Sequence, residues 1–191
     1  MKTPLRYQIT EFDCGTVSLL NAVCYLFKRE EIPTELVKAI HMYTIDCYDY
    51  EGNKSNEWMP NESINKMCRW ITSCSTKYDF KLNAIYLRGE EVNYKNIESC
   101  VRKGGVVFIR CWREESQYVI INNINELNTY IFDSYYCEDE EYEKDDDVRV
   151  IQSKPAEYNR IVRTDRIFSE TKKDYSLGVV SDRECVLMSR K

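Results

Sequence analysis

The chemistry-bearing stretch is Gln8 to Phe27, QITEFDCGTVSLLNAVCYLF. It reads as a polar loop that turns into a helix at Cys14. A thiol in the first turn of a helix feels the positive end of the helix dipole and nearby unpaired N–H groups. Both favour thiolate, so the spacing predicts a Cys14 pKa below the ordinary ~8.5. Gly15 leaves room for an approach to the backbone. A catalytic cysteine also needs a base, a group that orients the base, and donors for an oxyanion. Gln8, six residues ahead of Cys14, can swing its amide over the thiol. With the Cys14 N–H it would make a two-donor oxyanion hole.

Further along, Gln117–Asn122 and Thr129–Asp133 flank an Asn-rich turn and read as a hairpin. Centring that hairpin on residue 125 sets residues 117 and 133 opposite each other on one face. That is a natural place for a base and its orienting carboxylate.

Gln8-x5-Cys14-Gly15, a helical half, and a strand pair carrying two polar residues sixteen apart resemble the bacteriocin-processing cysteine peptidases. These are papain-like enzymes that cleave double-glycine leader peptides. The stand-alone peptidase-like bacterial branch is the nearer match, over roughly residues 5–133. The resemblance implies a papain-like α+β fold. It implies Gln8 in the oxyanion hole, Cys14 as nucleophile and Asp133 as the orienting carboxylate. The family has a histidine base heading an H-[FY]-V-V-type strand, where this chain reads Gln117-Tyr118-Val119-Ile120. The family's D-P pair is here Asp133-Ser134. Glutamine exchanges no proton near neutral pH, so it keeps the shape of the site without serving as base or acid. Loss of one member of such a catalytic unit costs on the order of 10³ to 10⁶ in rate.

The other base candidates are His41, which falls on the second helix away from the base position, and Glu114 or Glu115 just before Gln117. Arg110 or Arg113 is a candidate to face the cleft and neutralise Asp133. The acidic run Glu138–Asp147 reads first as a solvated loop, and second as a docking surface for a basic peptide or a weak divalent-cation site.

Apolar spacing places the elements that position these residues. Helices are expected at 14–27, from Pro33-Thr34 onward, at 62–74 capped by Asn61, and at 93–102. In the first helix Val17, Leu20, Cys24 and Phe27 define one apolar face and Leu19, Val23 and Leu26 a second. Residues 46–61 read as loop. Strands are expected at 80–87, 106–112, 117–122, 129–133, 148–151, 160–162 and 184–188. Helices first and strands afterwards mean α+β, with a helical half packed on a twisted antiparallel sheet. The expectation is a single domain over 1–191, helical at about 8–76 and sheet at about 78–190.

The totals exclude several classes. The 191 residues carry a net charge of −5, which disfavours nucleic acid as a partner. No stretch approaches the ~20 apolar residues of a membrane span, and the N-terminus has no signal-type run, so a cytoplasmic location is expected. Nine cysteines without a CxxC spacing fit reduced thiols rather than a disulfide framework or a zinc site. No cofactor or metal is implied.

Three readings of function follow. The preferred one is a peptidase-like protein, impaired by Gln117, that binds a peptide or small acyl ligand in the residual cleft. The second is an active thiol hydrolase or acyltransferase working on a Cys14 thiolate, helped by Asp133, Glu114 or Glu115. The third is a redox-responsive regulator acting through an exposed, acidic Cys14.

Overall fold

A computed structural model describes residues 3–11, 13–44, 61–77 and 80–191. The loop expected at 46–60 lies outside these residues, as do Trp58 and the side chains of Asn61 and Cys74. Three helices come first: α1 (Cys14–Leu26), α2 (Thr34–Thr44) and α3 (Asn61–Lys77). The remaining elements are β1 (Leu82–Arg88), α4 (Tyr94–Arg102), β2 (Val106–Arg113), β3 (Glu115–Ile124), β4 (Asn128–Asp133), β5 (Val148–Val150), β6 (Arg160–Arg163), α5 (Thr164–Ile167) and β7 (Glu184–Arg190). The strands form one antiparallel sheet in the order β1-β7-β2-β3-β4-β6-β5. The mixed α/β class with an antiparallel sheet, expected from the pattern, is what the chain adopts.

β2 is apolar without alternation because both of its faces are covered. Val106 and Phe108 pack with Leu19, Val23 and Ile40 under α1–α3. Val107, Ile109 and Cys111 pack with Ile97 of α4, Ile167 of α5 and Tyr175 on the other face. Helix α4 therefore belongs to the opposite layer from α1–α3. Asn93 caps it, accepting a hydrogen bond from the Asn96 N–H at 3.0 Å.

Helix α1 is buried, as expected, with the second of its two apolar faces the deeper. Leu19, Val23 and Leu26 are buried, as is Phe27 just past its end, whereas Val17, Leu20 and Cys24 are half-buried. The buried stripe also takes Ser18 and Asn21, because each has a backbone partner. Ser18 Oγ donates to Tyr118 O at 2.8 Å. Asn21 accepts from Arg6 N at 2.8 Å and donates to Arg6 O at 2.9 Å. Those bonds tie β3 and the N-terminal segment to the same helix, so polarity at 18 and 21 carries register information that a hydrophobicity pattern hides.

Among the described residues, no helix is long and apolar enough to cross a membrane. The seven described cysteines are free thiols.

Phe108 is 1% exposed and stacks on Tyr118 with ring centroids 4.8 Å apart. Phe108→Ala is expected to destabilise the fold by about 3–5 kcal/mol. Ile9→Ala, at a side chain 94% exposed, is expected to change stability by no more than about 0.5 kcal/mol. Chemical denaturation of the two variants checks both.

Candidate active site

Cys14 opens α1. The preceding Asp13 does not cap the helix with its side chain. Its carboxylate instead accepts from the N–H groups of Ile9 at 3.3 Å and Thr10 at 3.2 Å. This ties Ile9 and Thr10 to the residue before the helix. The N–H groups of Gly15 and Tyr118 both favour a thiolate at Cys14. They do not decide the outcome. Cys14 is 4% exposed, and burial pushes its thiol up to about 11, with the charges of Asp133 and Asp13 acting in the same direction. The acidic, exposed thiol expected from a helix N-terminus is therefore not what the structure has. Desolvation exceeds the local donors.

The polar pair on the sheet is offset from the expected register. Asp133 stands opposite Val119, and Gln117 stands opposite Cys111 of β2. The turn of the β3–β4 hairpin lies later than residue 125. Asn125 N donates to Asn128 O at 2.9 Å, and Asn125 Oδ1 accepts from Leu127 N and Asn128 N. A bulge between Ile121 and Asn123 also shifts the ladder. Gln117 and Asp133 nevertheless share a face as diagonal neighbours, and Gln117 Nε2 donates to Asp133 Oδ1 at 2.8 Å.

Asp133 is 0% exposed and accepts from three donors, with the Arg113 charge nearby. Oδ1 accepts from Gln117 Nε2 and, at 2.9 Å, from Tyr135 N. Oδ2 accepts from the Tyr175 hydroxyl at 3.0 Å and lies 3.9 Å from Arg113 Nε. Tyr175 in turn accepts from Arg160 Nε at 3.1 Å, and Arg160 NH2 reaches Cys137 Sγ at 2.8 Å. The Asp133 backbone is clamped by Asn159, which accepts from Asp133 N at 2.8 Å and donates to Asp133 O at 2.7 Å. A buried carboxylate requires such a shell, because an uncompensated buried charge costs several kcal/mol.

Of the two arginines weighed from sequence, Arg113 is the one beside Asp133. Arg110 pairs with Glu184 at 3.5 Å. Arg113 also stacks over the Tyr135 ring at 3.9 Å and donates to Glu141. The acidic run is largely exposed, as expected, and is also anchored at three carboxylates: Glu141 to Arg113, and Asp145 and Asp147 to Arg166 at 3.0 and 2.8 Å. Among the described residues, no cluster of histidine, cysteine or carboxylate side chains is arranged to hold a metal ion.

No protein-family model and no curated protein matches the chain. Among solved structures it is similar to the crystal structure of a double glycine motif protease from an AMS/PCAT transporter in complex with the leader peptide. The identity is 13% and the TM-score 0.47, over 98% of this chain and 91% of that one. So slight a likeness assigns no role to any residue.

Gln8 is tied to the same cluster. Its backbone N–H donates to Ser134 O at 2.8 Å. Its Oε1 accepts from Gln117 Nε2 at 3.2 Å and from Ser134 Oγ at 2.9 Å. Its Nε2 donates to the carbonyls of Thr10 at 3.0 Å and Glu11 at 3.4 Å. The structure therefore brings Gln8, Gln117, Ser134 and Asp133 into one hydrogen-bonded chain beside Cys14. Gln117 directs both its amide protons to Asp133 and Gln8. Among the described residues, no side chain hydrogen-bonds the Cys14 sulfur. His41 is exposed on α2, and Glu114 and Glu115 are exposed at the β2–β3 turn. None of the three has a hydrogen bond to Cys14.

Tyr175, Arg160 and Asn159 were not singled out from sequence. Arg160 did leave a signal: a charged residue opening the short apolar strand Arg160–Val162. Tyr175 left none. Its backbone adopts φ 65, sparsely populated for an aromatic residue. It is held there by Tyr175 N donating to Trp112 O at 2.6 Å and Trp112 N donating to Ser176 O at 2.8 Å.

Because the folded-state pKa of Cys14 is raised, its contribution to stability is intact below the ordinary thiol value and declines as pH rises toward 11. Site-resolved alkylation of Cys14 by iodoacetamide, followed by peptide mass spectrometry, is expected to show a midpoint near pH 11. A midpoint below the ordinary ~8.5 contradicts the burial account.

Proposed function

We propose that the chain is a peptidase-like protein of papain-like architecture, a single domain, that binds a peptide or small acyl ligand at Cys14 without hydrolysing it efficiently. The observation that carries this reading is the hydrogen bond from Gln117 Nε2 to Asp133 Oδ1. A carboxylate positioned to orient a base holds an amide that accepts and delivers no proton near neutral pH. The state of Cys14 supports the same conclusion. With a pKa pushed up to about 11, only on the order of one Cys14 in 10⁴ is thiolate at pH 7. Attack on an amide then lacks both its nucleophile and the acid that protonates the leaving amine. The peptide or acyl nature of the ligand rests on the Gln8-x5-Cys14-Gly15 pattern and its resemblance to leader-processing peptidases. Burial of Cys14 also weighs against the two readings that need a reactive thiolate, the active hydrolase and the redox regulator.

Returning a base to β3 tests the reading. In Gln117→His the imidazole is expected to take the bond to Asp133 and raise Cys14 alkylation at pH 7 by about 10² or more. The wild-type protein is expected to show no Cys14-dependent hydrolysis of peptide amides or thioesters. Wild-type turnover that Cys14→Ala abolishes, or no gain in alkylation with Gln117→His, overturns it.

A further inference from the structure

The site has a second departure from a working hydrolase, and it concerns the oxyanion rather than the base. An oxyanion hole requires N–H groups that point at the developing negative charge and are not already used. Gln8 does not offer them. Both its amide protons are directed to main-chain carbonyls of its own loop, Thr10 O at 3.0 Å and Glu11 O at 3.4 Å. Carbonyl oxygens only accept, so these bonds fix which end of the amide is nitrogen. The oxygen end is fixed independently. Gln8 Oε1 accepts from the hydroxyl of Ser134 at 2.9 Å and from Gln117 Nε2 at 3.2 Å. Ser134 is 0% exposed, and its carbonyl also takes the Gln8 N–H at 2.8 Å. The segment is therefore gripped at backbone and side chain together.

We propose that Ser134 is a positioning residue that latches Gln8 with its carbonyl turned to the Ser134 hydroxyl, so that the oxyanion donor is disengaged in the resting protein. The latch rests on the reading above that Cys14, Gln8 and Asp133 descend from an acyl-transfer site. It goes beyond that reading in locating a second block, separate from the missing base. Proline at 134 has no hydroxyl and cannot make the side-chain half of the latch. In this orientation Gln8 has no free donor to offer, because Nε2 is held by the carbonyls of Thr10 and Glu11. Releasing the latch lets the amide turn over and present Nε2.

The base and the oxyanion donor answer to different probes. Iodoacetamide alkylation consumes a thiolate and forms no oxyanion. A peptide aldehyde adds reversibly to Cys14: the S–H bond breaks, an S–C bond forms, the C=O π bond opens, and the proton passes to the former carbonyl oxygen. Its affinity therefore reports donors at that oxygen. Aldehyde affinity is to be measured for Gln117→His, for Gln117→His with Ser134→Ala, and for each with Gln8→Ala added. Alkylation is measured in parallel.

The latch predicts that Ser134→Ala tightens aldehyde binding by about 10²-fold, that Gln8→Ala removes the gain, and that alkylation does not change between the two Ser134 forms. An aldehyde affinity unchanged or weakened by Ser134→Ala, or a gain that survives Gln8→Ala, overturns it. Should Ser134→Ala fold poorly, Ser134→Cys replaces the hydroxyl by a weak donor of similar shape, and the same ratio decides. Failure of Gln117→His to raise alkylation strikes the missing-base reading alone, since the aldehyde ratio between the two Ser134 forms still judges the latch.

Discussion

The structure around the candidate site depends on one buried group, the Asp133 carboxylate. Burying it without partners would cost several kcal/mol, and the chain meets that cost from distant segments. Gln117 comes from β3, Tyr135 from the backbone just beyond β4, Tyr175 from the loop after α5, and Arg113 from the end of β2. Asn159 clamps the main chain on which Asp133 sits. Each of these side chains also has a second attachment: Tyr175 to Arg160, Arg113 to Glu141, Gln117 to Gln8. Removing Gln117 or Tyr175 leaves a buried acceptor short of a donor and loosens another segment, so the cluster holds as a unit.

That cluster holds β3, β4 and the N-terminal segment in one arrangement. The Gln117 amide satisfies a carboxylate oxygen of Asp133, so this oxygen is not left unpaired in the core. Cys14 remains a buried thiol whose first-turn donors are outweighed by desolvation. Its neighbour Gln8 is drawn into the hydrogen-bonded chain that now ends at Asp133.

Much of the fold was legible because its signals are local. The apolar run 106–112 read as a buried strand, and helical spacing with Asn93 ahead of it read as α4. The Asn-rich turn read as a hairpin. The errors have physical causes. Hydrophobic spacing found both apolar faces of α1 but not the burial of Ser18 and Asn21, which rests on bonds to the Tyr118 and Arg6 backbones. The hairpin register slipped because a bulge and an Asx-type turn at Asn125 lie below the resolution of pattern counting. The Cys14 pKa was misjudged because a sequence shows the helix N-terminus but not how deeply it is buried. Tyr175 was invisible, since nothing near it in sequence announces a hydroxyl aimed at a residue 42 positions away. The acidic run is exposed as its composition suggested, but its anchors, Arg113 and Arg166, come from other elements and were not legible.

The central proposal is that Cys14 lies in a peptidase-like site that binds a peptide or acyl ligand without transferring it efficiently. The most direct measurement is the intact mass of the wild-type protein after incubation with a peptide thioester at pH 7, with Cys14→Ala alongside. The account predicts no acyl adduct at Cys14 and no thiol release above the Cys14→Ala control. An adduct at Cys14 that forms and then turns over would contradict it.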